Sequence, residues 1–170
     1  ERWEVGNDGR HIVFHLRQNV LWHDGQPFDS ADVASHFNRV ISPPSGLFSS
    51  QRAPFTDVLD IQTPDSKTVV VVTKQPNAAL LRHFAGGHYM IVSEHVMEQE
   101  TAENPRALRK KPDSLIGTGP FTFVSYEPGN NFEVRKNTDY WDEGKPHLDG
   151  IRFFIIKDSA ARFAALVTGR

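Results

Sequence analysis

The stretch VLWHDGQPFDSADVASHFNRV, Val20 to Val40, decides how the chain is read. Its first half sets an imidazole and a carboxylate, His23 and Asp24, beside Gly25. Its second half is the grammar of a starting helix. Gly25 and Pro27 break the chain, and Asp29 can cap a helix whose Asp32 suits the positive end of the helix dipole. Val33, Phe37, Val40 and Ile41 repeat at helical spacing, which predicts one buried face, and Pro43-Pro44 stops the helix. A catalytic His23-Asp24 pair would need a nucleophile, and no G-x-S-x-G setting occurs. Adjacent side chains in extended backbone point to different sides, so direct pairing is awkward. Trp22 to Gly25 therefore reads as a turn with a packed tryptophan. A hydrolase acting through His23-Asp24 is the remote alternative.

Working outward, Ile12 to Leu16 alternates in the strand period, with Ile12, Phe14 and Leu16 on one face and an Asp8-Gly9 turn before them. Residues 45–55 read as a loop or short irregular helix. Val58 to Thr63 and Thr68 to Thr73 predict a hairpin turned by Pro64-Asp65-Ser66-Lys67. The unbroken Val69 to Val72 run suggests a strand covered on both faces. A short helix, Ala78 to Phe84, runs into Gly86-Gly87, and another helix starts near Ser93. A polar connection, Thr101 to Ser114, leads to Gly117-Thr118-Gly119-Pro120. Phe121/Phe123 and Phe132/Val134 predict a second hairpin across Pro128 to Asn131. A strand over Ile151 to Ile156 precedes a last helix capped by Asp158, with Phe163, Leu166 and Val167 on its apolar face.

The chain has 170 residues, 38% of them hydrophobic, with a formal charge of −2 and no cysteine. Disulfides and thiolate metal sites are thereby excluded, and no basic footprint for nucleic acid exists. The basic run Arg106 to Lys111 follows an acidic stretch, Glu98 to Glu103, and reads as a solvated helix end and loop. No apolar run approaches the ~20 residues of a membrane span, and none reads as a signal peptide. The abrupt ends read as those of a piece of a longer protein.

The eight histidines predict no metal site. His11 and His15, four residues apart on a strand, stand about 13 Å from each other, too far to share an ion. His83, His88 and His95 fit no zinc spacing. Gly117-Thr118-Gly119 does not open a helix, as a phosphate loop should, and predicts a tight lead-in to a strand. Tyr140-Trp141 could stack on a ligand, although packing at a strand end is the commoner fate of such a pair.

Taken in order, FHLRQNVLWHDGQPFDSADV, GTGPFTFVSYEPGNNFEVRKNTDYWDEGKPHLDGIRF and DSAARFAALVTG resemble the family 5 extracellular solute-binding proteins. These are the dipeptide-, oligopeptide- and nickel-binding receptors of ABC importers, and the resemblance runs over nearly all 170 residues. It implies a mixed α/β fold, part of a periplasmic-binding-protein-like lobe of the type II solute receptors. Residues 1–92 would match most of an extra subdomain and residues 93–170 part of the first lobe, with the second lobe absent. It implies a receptor and not an enzyme, without catalytic residues, cofactor or metal. The solute would be a di- or oligopeptide, delivered to an ABC permease at the periplasmic or extracellular face of the membrane. A nickel chelate, haem, oligosaccharide or opine is the alternative. The resemblance places candidate ligand contacts in two loops, at Phe48 and Ser49 and at Gly86, Gly87 and His88. Bare edges and faces would favour self-association.

Overall fold

A computed structural model describes residues 2–99, 101 and 115–169. The basic run Arg106 to Lys111 and the polar connection beyond Thr101 lie outside the described residues. Packing divides the chain into two compact units, Glu1–Thr118 and Gly119–Arg170. No helix among the described residues is long and apolar enough to cross a membrane.

In the first unit, strands β1 (Arg2–Val5), β2 (His11–His15), β3 (Val58–Asp65) and β4 (Thr68–Thr73) form one sheet in the order β1-β2-β4-β3. All three pairings are antiparallel. Helix α1 (Ser30–Ile41) covers one face, and α2 (Leu80–Phe84) and α3 (Glu94–Met97) follow the sheet in sequence. The core is built where the patterns predict: Ile12 from β2, Val33, Phe37 and Val40 from α1, Val69 and Val71 from β4. β1 was not expected from the sequence. Its Arg-Trp-Glu-Val run is exposed throughout and is held as a strand by pairing with β2.

Two expectations are corrected. β4 is not covered on both faces, because Val69, Val71 and Thr73 are buried while Val70 and Val72 are half-buried. An antiparallel sheet with a helix on one side leaves the other side to solvent. The hairpin turn is also shorter than expected, since β3 runs through Pro64 to Asp65. Pro64 falls in a register irregularity between Gln62 and Asp65 on the edge strand, where no ladder hydrogen bond is needed from it.

The start of α1 joins this unit together. Asp29 accepts from the N–H groups of Ala31 and Asp32, and the Asp32 carboxylate accepts from the N–H of Asp29, closing a capping box. Asp32 is 6% exposed, and the same carboxylate accepts from Trp22 Nε1 at 2.9 Å and from the Glu94 N–H at 2.9 Å. Ser30 Oγ donates to the Asp65 carbonyl, and Lys67 Nζ donates to the Phe28 carbonyl, tying the β3–β4 turn to the same helix end.

The second unit is a sheet of β5 (Phe121–Glu127), β6 (Asn131–Lys136) and β7 (Gly150–Phe154), in that order, followed by α4 (Ser159–Val167). Asp158 caps α4 through the Ala161 N–H, as expected. β7 ends two residues before the expected Ile156. A Cβ at Gly150 would stand 2.8 Å from the Val134 carbonyl, so the pairing of β6 with β7 needs glycine there. Glu133 and Arg152 face each other across the same strands, with Arg152 Nε donating to the carboxylate at 2.8 Å. The apolar face of α4 is uncovered: Phe163, Leu166 and Val167 are 69%, 78% and 68% exposed.

Asp32→Ala leaves the buried Trp22 and Glu94 N–H groups without their acceptor and opens the capping box. A loss of about 3 kcal/mol in denaturant unfolding is expected, against about 1 kcal/mol for Asp29→Ala, which removes only a cap.

Candidate functional site

The Trp22 to Gly25 turn is closed by backbone. The Trp22 N–H donates to the Gln26 carbonyl, the Gly25 N–H to the Trp22 carbonyl and the Phe28 N–H to the Val20 carbonyl, and Gly25 takes φ +85°. A side chain with a Cβ would strain that position. Each of the three polar side chains then reaches a different segment. Trp22 donates to Asp32 of α1 and packs edge-on against Phe28 at 5.6 Å. His23 Nδ1 accepts from the Gly117 N–H at 3.2 Å, while the His23 backbone N–H donates to the Gly117 carbonyl. Asp24 accepts from His95 Nε2 at 2.6 Å. His23 and Asp24 are thus directed apart, as the sequence predicts.

A second grouping was not foreseen. His95 Nδ1 lies 2.5 Å from Ser93 Oγ, so a serine, a histidine and an aspartate form one hydrogen-bonded chain across 71 residues of sequence. Ser93 is 0% exposed, and a nucleophile with no surface cannot meet a substrate. The chain of bonds fastens α3 to the turn. Spacing could not reveal it, because Asp24 and His95 meet only through the fold.

The two loops expected to contact ligand are brought together by aromatic packing. In the first, Phe48 is 90% exposed and Ser49 is half-buried, and the loop ends in a short turn, Ala53–Phe55. Phe55 is fully buried and stands 5.5 Å from Phe84 and 4.9 Å from Tyr89, edge-on to the latter. Phe84 and Tyr89 bracket the second loop, so Phe55 holds the end of one loop against the base of the other. Gly86 and Gly87 differ. A Cβ on Gly86 would approach the His83 carbonyl at 3.2 Å and the Tyr89 ring at 3.4 Å. On Gly87 it would meet nothing within 4 Å, and His88 beside it is exposed. Close packing explains the first glycine, and open space surrounds the second.

The strap from Ile91 to Met97 continues from this loop and is fastened by side chains of α1. His36 is 8% exposed, and its Nδ1 accepts from the Val92 N–H at 3.3 Å. The proton of the neutral ring therefore sits on Nε2, a buried atom with no hydrogen-bond partner. Burial lowers the His36 pKa from 6.5 to about 4. The other predicted residues are framework. His11 bonds Asp8, and His15 bonds Glu4, whose carboxyl it holds below the usual carboxylate range. No cluster of three or more His, Asp or Glu side chains suited to a metal ion occurs among the described residues. Asn137 closes the Gly-Thr-Gly-Pro lead-in, with Nδ2 donating to the Gly119 carbonyl. Tyr140 and Trp141 pack on each other at 4.9 Å.

The family described as bacterial extracellular solute-binding proteins, family 5 Middle, matches residues 1–170. The dipeptide-binding protein of Escherichia coli K12 is 30% identical over 183 residues, covering 98% of this chain and 33% of its own. The structure of AgaA from A. tumefaciens R10, in complex with agropinic acid, is similar with a TM-score of 0.84 at 32% identity, covering 99% of this chain and 32% of that one. NikZ of Campylobacter jejuni in complex with Ni(L-His) superposes with a TM-score of 0.83 at 26% identity, over 99% and 32% of the two chains. The chain spans about a third of the length of the curated relatives it matches.

The His36 shift sets a pH dependence with a definite sign. The unfolded chain binds a proton near pH 6.5, whereas the folded ring resists it until about pH 4. Its contribution is therefore whole above pH 6.5 and is lost as pH falls towards 4, by about 3 kcal/mol in total. Denaturant unfolding of the wild type and His36→Gln at pH 7.5 and pH 4 should show the stability difference between them moving by that amount in favour of the variant.

Proposed function

Because the chain belongs to the bacterial extracellular solute-binding proteins of family 5, which are receptors of ABC importers and not enzymes, we propose that the protein carrying it captures a peptide and delivers it to a membrane permease. Members of the family are periplasmic or extracellular, and we place this protein there. The peptide reading is supported by the packing of Phe55, at the end of one loop, on Phe84 and Tyr89 at the base of the other, which lets the two loops serve as one wall. Phe48 offers an almost wholly exposed aromatic ring, Gly87 leaves backbone open to approach, and Phe55 packs on the rings that bracket the second loop. An exposed ring on a loop suits the side chains of a peptide, and open backbone suits its amides. Residues 1–92 then supply the wall as the extra subdomain of the first lobe, with 93–170 as part of that lobe.

Capture would work by differential affinity. A ligand touching both lobes binds the closed state better and shifts the hinge equilibrium towards it. One wall alone buries too little of a ligand. A second reading, a non-peptide solute, is favoured by the likeness to the agropinic acid and Ni(L-His) complexes.

Calorimetry of dipeptides, tripeptides and agropinic acid against the full-length protein separates the readings. Peptide binding is expected in full length, weakened about tenfold by Phe48→Ala, and absent at micromolar concentration in the 170-residue chain. Agropinic acid binding without peptide binding would select the second reading. The bare α4 face predicts self-association of the isolated chain. Light scattering at high concentration should show oligomers that Leu166→Glu returns to monomer, and a monomer in the wild type would refute this.

A further inference from the structure

An apolar cavity of about 150 Å³ opens in the first unit, bounded by β2, β3, β4, α1 and α2. Its floor is Val33, Phe37, Val69 and Val71, all at most 7% exposed. Its rim is half-buried. Phe14, Phe84 and Tyr89 stand on it, and Leu16, Ile61 and Ile91 complete it. The lining brings one polar side-chain atom, the Tyr89 hydroxyl. Ordered water needs two to four polar partners, so this is a poor place for it, and a dry apolar cavity of about this volume takes a benzene-sized guest.

The lining is arranged for an aromatic guest in particular. Phe84 meets Phe14 edge-on at 5.2 Å and Phe37 edge-on at 4.8 Å, so three rings are already fixed at steep angles around the space. Offset and edge-to-face contacts at such separations are the favoured geometries between rings. A fourth ring entering from the rim recovers the dispersion contacts that the empty space forgoes. The buried floor and the partly open rim supply the other two requirements, desolvation and a way in.

We propose that this cavity is a binding site for a single small monocyclic aromatic molecule, lying behind Phe84 and Tyr89 at the base of the second loop and not lined by Phe48, Ser49 or Gly86 to His88. Its occupancy stiffens the contact between α1 and the sheet, and does not depend on whether the solute is a peptide.

The test is a titration of benzene into the full-length protein, followed by methyl NMR and thermal unfolding. Saturable shifts confined to methyl groups around Val33, Val69 and Val71 are expected, with a rise in Tm of about 3 °C near saturation. Imidazole, a polar ring of similar size, should bind at least tenfold more weakly. Leu16→Phe from the rim and Val33→Leu from the floor both put side-chain atoms into the space, and each should weaken benzene at least tenfold. Absent or non-saturating methyl shifts in the wild type would overturn the proposal. So would an equal response to imidazole, or an undiminished response in both folded variants.

Discussion

One buried carboxylate organises the first unit. Asp32 sits at the third position of α1, where a carboxylate is favoured by the helix dipole, and it is buried by the elements it bonds. A buried charge is tolerable only when its lone pairs are used, and here an indole N–H and two backbone N–H groups use them. Those three donors belong to the turn before α1, to the helix cap and to the start of α3. The strap from Ile91 to Met97, the Trp22 turn and α1 therefore form one polar junction beside an apolar core.

This junction explains why a motif that looks chemical is structural. His23 and Asp24 are polar because each has a distant backbone or side chain to secure, Gly117 in one case and His95 in the other. Reactive chemistry needs a group that a substrate can reach and water can leave. The serine in the hydrogen-bonded chain has no surface at all. Phe48 on its loop and Gly87 in open space are exposed, but neither is a reactive group.

Local grammar was legible in the sequence and long-range closure was not. The capping box of Asp29 and Asp32, the apolar face of Val33, Phe37 and Val40, and the cap at Asp158 are set by neighbours a few residues apart, and each stands where spacing predicts it. The second role of Asp32, as acceptor for Glu94, spans 62 residues and leaves no periodic trace. β1 escaped because an exposed strand carries little alternation, and its pairing partner decides it. Val69 to Val72 misled because β-branched residues also suit a half-open strand face. In the candidate site, the residues at Phe48 and Gly86 to His88 came from resemblance. Phe55 and Tyr89, which hold those loops together, could be seen only as rings in contact.

The irregular end of β3 has one more effect. An edge strand offers unpaired amides to any other chain that passes, and a long flat one invites continuous growth of the sheet. Pro64 removes an amide from that edge, and the register around it is displaced. A sheet whose edge is interrupted in this way resists the continuous strand-to-strand growth that underlies amyloid-like stacking.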